Sequence, residues 1–142
     1  MKVFHQTGFI DAPVEKVFAY ISDFTKIPEW RPDVPNISRI SGETKLGTTF
    51  WEEVRLISRN PILMKVIEFV PNKRLVIQGQ TGMSLLPTQS FSFAADGDKT
   101  RIDLLVTMEV SGFYKLMEFM LPSQLRKFWV RYFENLNRIL SK

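Results

Sequence analysis

The clearest pattern in the chain lies between Thr100 and Val110. Ile102, Leu104, Val106, Met108 and Val110 fall on one side of an extended segment, and Arg101, Asp103, Thr107 and Glu109 fall on the other. A two-residue period of this kind requires a sheet with one buried and one wet face. Segments of similar β-rich character lie at Lys2–Ile10, 38–40, 48–57, Ile62–Val70, 74–80 and 88–95. Pro71-Asn72-Lys73 and Asp96-Gly97-Asp98-Lys99 supply turn chemistry between the later ones. About six consecutive antiparallel strands are therefore expected after residue 36, each beside its sequence neighbour.

Two stretches carry the helical period instead. Val14, Val17, Phe18 and Ile21 fall at i, i+3, i+4 and i+7, which predicts a short helix through Ser22. Asp11 is its expected cap, Pro13 suits the first turn and Glu15 complements the positive end of the helix dipole. Phe24, Ile27 and Trp30 predict one more turn inside a segment otherwise broken by Pro28, Pro32 and Pro35. Near the end of the chain, Leu125, Phe128, Trp129, Tyr132, Phe133, Leu136, Ile139 and Leu140 form an apolar stripe opposite Arg126, Lys127, Arg131, Glu134 and Arg138. Phe113, Leu116, Met117 and Met120 continue the period upstream, and Pro122 interrupts it. The expectation is a short helix at 113–121, a break and a main helix from 123 to 140.

The order is β-α-α-β(5–6)-α, an α+β architecture. A sheet with one apolar face must bury it, and only the last helix is long enough to serve. A curved antiparallel sheet of six or seven strands wrapped around that helix leaves a space near one end, lined by aromatic residues and methionine. With 142 residues, one domain spanning 1–142 is expected.

Composition narrows the function classes. The absence of cysteine removes disulfides and thiolate chemistry. The single histidine, His5, excludes a histidine metal cluster, and neither a metal nor a cofactor is implied. The net charge of +4 is scattered rather than clustered, so no nucleic-acid partner is expected. The start of the chain lacks a signal-peptide pattern and no apolar run approaches the length of a bilayer span, so a cytoplasmic protein is expected. The 12 Phe, 3 Trp, 3 Tyr and 6 Met fit either a core or an apolar pocket.

Few residues carry candidate chemistry. Glu52 shares a strand face with Phe50, Val54 and Leu56, which aims a carboxylate inward. There its pKa would rise and it would transfer protons or hold a ligand hydroxyl. A bulge or a salt bridge at the strand end is the competing reading. Glu53 should face solvent with Trp51 and Arg55, so the two glutamates are not a catalytic pair. His5 lies on the first strand with no G-x-S-x-G motif to serve, and reads as a surface or structural residue rather than an acid/base. Trp30, Phe50, Glu52, Phe91, Phe93, Met108, Met117, Phe128 and Tyr132 are the candidate lining of the cavity, with plain core packing the alternative for each. Glu52 and Tyr132 are the candidate catalytic groups, and Gln78, Thr88, Gln89 and Ser90 are further polar points. Gly79-Gln80-Thr81-Gly82-Met83 reads as a flexible turn rather than a phosphate loop. The 113–121 stretch reads as a lid or core helix, with contact to a membrane surface as a lesser alternative.

Ile10-Asp11-Ala12-Pro13-Val14-Glu15-Lys16-Val17-Phe18-Ala19-Tyr20-Ile21-Ser22-Asp23 resembles the opening of the START-like superfamily, the SRPBCC or polyketide cyclase/dehydrase proteins. Ile27-Pro28-Glu29-Trp30-Arg31-Pro32 is similar to the aromatic turn that follows there, and Leu46-Gly47-Thr48, Glu68-Phe69-Val70-Pro71, Phe91-Ser92-Phe93, Lys99-Thr100-Arg101-Ile102 and Glu134-Asn135-Leu136 continue in the family's order. The resemblance implies the helix-grip fold, shared with birch-pollen-allergen-like proteins, and an apolar cavity between sheet and C-terminal helix. It implies binding or transport of a hydrophobic or aromatic small molecule such as a lipid, an isoprenoid or a polyketide-like compound. Two alternatives follow from the same superfamily: a cyclase or dehydratase acting by positioning and proton transfer, and a co-chaperone-like interaction domain using an exposed patch around Trp51 and Val130. The expected partner is an apolar ligand, and the expected state is a monomer or homodimer.

Overall fold

The computed structural model describes residues 2–53, 61–81, 85–110 and 121–142; the side chains of Lys2, Val3, Thr81, Leu85, Leu86, 108–110 and 121–125 also lie outside the description. Its elements are β1 (Lys2–Ile10), α1 (Val14–Ile21), a 3-10 turn (Phe24–Lys26), α2 (Ile27–Trp30), β2 (Asn36–Ser38), β3 (Thr49–Glu53), β4 (Ile62–Val70), β5 (Arg74–Thr81), β6 (Leu85–Asp96), β7 (Lys99–Val110) and α3 (Leu121–Leu140). The strands form one antiparallel sheet in the order β1-β7-β6-β5-β4-β3-β2, so the first strand closes on the last. This is the α+β arrangement that the pattern predicts, and the helix-grip fold that the resemblance implies.

The alternation in β7 is realised: Ile102, Leu104 and Val106 are buried, and Arg101 is exposed. Two register shifts in β4, at Leu63/Met64 and Val66/Glu68, bend the sheet. The second changes the parity of the strand. Val66 is buried, Ile67 is exposed, and Phe69 packs beside Phe18 at 5.5 Å between ring centroids. The curved inner face thus receives α1 through Phe18, which also meets Phe93 at 5.1 Å.

Helix α3 lies against β1 at a position that only glycine permits. A Cβ on Gly8 would stand 2.7 Å from Cδ2 of Phe133, well inside contact distance. The end of α3 ties back to the start of α1. The Asp11 N–H donates to Oδ1 of Asn137 at 2.7 Å, and Lys16 Nζ donates to the Leu140 carbonyl at 2.9 Å. Asp11 therefore orients the entry to α1 and does not cap it. The cap position falls to Pro13, which has no side-chain hydrogen bond to give.

Three further boundaries differ from expectation. β2 occupies Asn36–Ser38 and stops where Arg39 takes a left-handed backbone, φ 53°. β5 runs through Thr81, so Gly79 and Gln80 lie in the strand expected at 74–80 and not in the turn, whose Gly82 and Met83 lie outside the described residues; Gly79 pairs with Met64 and lets Pro87 approach within 3.0 Å of where a Cβ would sit. Helix α3 is described from Leu121 to Leu140, so Pro122 lies within it rather than in a break before it. The expected helix at 113–121 and residues 54–57 of the expected third strand lie outside the described residues, except for Leu121.

Candidate functional site

Strand β3 decides what reaches the interior. Its short run alternates, so Phe50 and Glu52 are both buried while Glu53 is exposed. Glu52 thus points inward, as its apolar strand neighbours predict, at 3% exposure. It also carries the salt bridge that was the competing reading, because its partner is buried with it. Arg31, 6% exposed, places Nη2 at 3.4 Å from Oε1 of Glu52 and at 4.0 Å from Oδ2 of Asp33. The Tyr132 hydroxyl of α3 donates to Oδ1 of Asp33.

Local structure brings these groups together. Helix α2 ends at Trp30, and Arg31 leaves the helical geometry there at φ −121° and ψ 88°. The Nδ2 group of Asn135 on α3 donates to the Trp30 carbonyl at 3.1 Å and fixes this end of α2. The Arg31 guanidinium then lies over two rings of α3, with its central carbon 5.3 Å from the centroid of Trp129 and 5.3 Å from that of Tyr132. Trp30 completes the group, 5.9 Å from Trp129 and 6.2 Å from Tyr132.

The electrostatics follow from burial. Burial pushes the Glu52 carboxyl above the usual carboxylate range, with Asp33 adding to the rise and Arg31 opposing it. Burial alone would lower Arg31, but Glu52 and Asp33 reverse the direction and hold it above its ordinary value. Burial and the bond to Asp33 also raise the Tyr132 phenol against the pull of Arg31, so the hydroxyl keeps its proton and remains a donor. Two donors in this cluster, Trp30 Nε1 and Arg31 Nε, are buried and have no hydrogen-bond partner among the described residues.

Of the expected lining, Trp30, Phe50, Phe91, Phe93 and Tyr132 are buried and Phe128 is half-buried. Phe91 links Phe93, at 6.2 Å, to Trp129, at 5.8 Å, and Phe128 stacks on Tyr132 at 6.4 Å. Phe50 stacks instead on Phe24 at 4.2 Å, away from that chain of rings. Met117 and the side chain of Met108 lie outside the described residues. On β6, Gln89 faces inward with Phe91 and Phe93. Gln78 and Thr88 hydrogen-bond to each other at 3.2 Å on the other face, which Ser90 shares by alternation. His5 is exposed, with Nε2 3.6 Å from Asp103. Trp51 is half-buried on the outer sheet face under Arg39, whose guanidinium carbon is 5.9 Å from its ring, and Val130 is exposed on α3.

Sequence reasoning missed Arg31, Asp33 and Trp129 as site residues. The signal for Arg31 and Asp33 was their place, a charged pair inside a proline-broken segment directly after an aromatic helical turn, and the signal for Trp129 was its position in the apolar stripe of the last helix. A separate cleft of about 340 Å³ lies between the end of α1 and residues 40–44, lined by Ala19, Ser22, Phe24 and Thr44 among others. It contains none of the expected site residues. Among the described residues there is no group of side chains able to hold a metal ion, and no helix is long and apolar enough to cross a membrane.

A family described as polyketide cyclase / dehydrase and lipid transport matches residues 1–138, and the chain belongs to it. No curated protein matches the sequence. Among solved structures, a START superfamily protein from Mycobacterium smegmatis is 18% identical, with a TM-score of 0.81 over 97% of this chain and 96% of that one. A hypothetical protein from Helicobacter pylori is 15% identical, with a TM-score of 0.80 over 98% and 88%. The di-domain ARO/CYC BexL of the BE-7585A biosynthetic pathway is 16% identical, with a TM-score of 0.74 over 99% of this chain and 50% of that chain. At these identities the likeness is one of fold.

Proposed function

We propose that the chain binds an apolar or aromatic small molecule, of lipid, isoprenoid or polyketide-like kind, in the interior between the sheet and α3. The observation that carries this reading is the buried Arg31–Glu52–Asp33–Tyr132 cluster set among Trp30, Phe91 and Trp129. A site of this composition holds a ligand by apolar burial and fixes its orientation with a few polar groups. Lipid transport in the family's description supports the same reading. The test is native mass spectrometry of freshly purified protein, followed by extraction and identification of any bound molecule. A co-purifying apolar compound is expected. A clean apo mass, with no thermal shift against a library of lipids and aromatic compounds, removes the reading and puts a protein-interaction role first.

The raised Glu52 carboxyl favours a second reading, in which the ligand is a substrate, Glu52 transfers protons and Tyr132 serves as the protonated hydrogen-bond donor beside it. Binding in the right geometry supplies much of the rate in such a site, so few catalytic groups are needed. Turnover lost in Glu52→Gln with ligand binding kept supports this reading, and retained turnover excludes the role for Glu52.

A further inference from the structure

The cleft of about 340 Å³ between the end of α1 and residues 40–44 shares no residue with the interior cluster. Its walls are fixed by bonds of their own. Thr44 Oγ1 donates to the Ser22 carbonyl at 2.5 Å, which ties the loop to the end of α1. The Glu43 carbonyl accepts from Thr48 Oγ1 at 2.9 Å, and Lys45 N–H donates to the same hydroxyl at 3.0 Å. Phe24, part of the lining, is buried and stacks on Phe50 at 4.2 Å. A cleft held in shape this way has little left to order when a ligand enters.

Its charge runs against that of the whole chain. The sequence holds 19 basic and 15 acidic residues, yet the charged residues that line the cleft are Asp23 and Glu43. Asp23 is oriented by its own turn: Oδ1 accepts from the Thr25 N–H at 3.2 Å and from Thr25 Oγ1 at 2.6 Å, and Oδ2 has no partner among the described residues. Lys26, three positions further on, faces Glu29 at 3.7 Å instead. Helix α1 ends at this cleft with no basic residue in its last turn, so the negative end of its dipole adds to the same field. Ala19, Phe24 and Ile40 supply apolar surface beside these groups. An anion meets repulsion here, and a neutral molecule gains the apolar wall alone. We propose that the cleft is a second binding site, independent of the interior one, for a small organic cation that sets an ammonium group against Asp23 and Glu43 and an apolar body against Ile40 and Phe24.

The test titrates phenethylamine, 2-phenylethanol and 3-phenylpropionate into the full chain labelled with ¹⁵N. NMR follows the backbone amides of Thr25, Gly42 and Thr44 at the cleft, and the Trp30 indole in the interior. The amine should bind about three- to tenfold more tightly than the alcohol, the acid should bind least, and the three amides should shift while the Trp30 indole stays in place. Raising the salt from about 50 to about 500 mM should shrink the amine's lead. Asp23→Asn combined with Glu43→Gln should abolish it; both side chains are exposed, and an unchanged melting temperature shows that the fold is kept. Equal affinities for amine and alcohol, or a lead that survives high salt or the double substitution, overturn the proposal. Shifts at the Trp30 indole in place of the three amides overturn it as well, by moving the amine to the interior. So does the failure of all three compounds to shift any of the cleft amides, which leaves the interior reading untouched. The wild-type comparison and its salt dependence decide the matter even if the double variant does not fold.

Discussion

Gly8 offers the most direct test of how α3 is seated. An alanine there puts a methyl group 2.7, 2.8 and 3.0 Å from three ring carbons of Phe133. Ordinary carbon contacts begin near 3.5 Å, so the ring or the backbone must give by roughly 0.5–0.8 Å. Phe133 is buried and packs against Trp129 at 6.0 Å, so the ring has little room to turn. Overpacking of this kind costs about 1–3 kcal/mol. Replacing a strand glycine returns about 0.5–1 kcal/mol through lost freedom of the unfolded chain. The net expectation is a loss of about 1–2 kcal/mol, or about 3–6 °C in melting temperature for a domain of this size. Thermal unfolding followed by circular dichroism measures it. Phe133→Leu in the same chain should recover part of the loss, because a smaller side chain makes room for the methyl. A Gly8→Ala melting temperature equal to or above that of wild type would refute the steric reasoning, as would a double mutant that is simply additive.

Three other outcomes are expected. Glu52 is more basic in the folded chain than its ordinary value of 4.5, so the native state binds the extra proton; its contribution is complete below that pH and is lost as pH rises toward the folded value. Urea melts at pH 4 to 8 should therefore show wild type losing stability relative to Glu52→Gln as pH rises, and a constant difference removes the proton from Glu52. Tyr132→Phe leaves the Asp33 carboxylate without its hydroxyl donor and should cost about 1–3 kcal/mol in the same melts, an unchanged midpoint counting against that bond. Phe91→Ala, in a fully buried position, should cost about 3–5 kcal/mol, while Phe128→Ala, half-buried, should cost about half as much and weaken ligand binding more; equal stability losses would place Phe128 in the closed core.

What could be read from the sequence followed the reach of each signal. The periods of β7 and α3 are properties of neighbouring residues, and both elements formed where those periods placed them. The inward turn of Glu52 was legible for the same reason, since Phe50 two residues earlier marks the face. Arg31 and Asp33 carry no such mark. Their burial depends on Tyr132 and Trp129, about a hundred positions away, and a local pattern reads charged residues as exposed. At Gly79 two local signals disagreed, a β-rich run through residue 80 and a pair of glycines that suggested a turn, and the strand prevailed. A glycine there signals a turn locally, but a strand once Pro87 must pass close to its backbone. Asp11 looks like a cap, yet α1 begins at Val14 with Pro13 in the cap position, two residues beyond it.

The pairing of β1 with β7 has a consequence for how the chain comes to be folded. Ile10 lies opposite Thr100 and Lys2 opposite Met108, so the strand made first cannot find its neighbour until the last third of the chain has emerged. The hairpins from β4 to β7 join sequence neighbours and can assemble as they appear. Contacts of such long separation slow folding, because the closure entropy must be met before they return anything. During synthesis β1 waits with its apolar side unmatched, and α3, which seats on Gly8, must wait with it. The nascent domain should therefore become resistant to protease only after α3 clears the ribosome, which makes Leu121–Leu140 the segment that commits the sheet to its closed form.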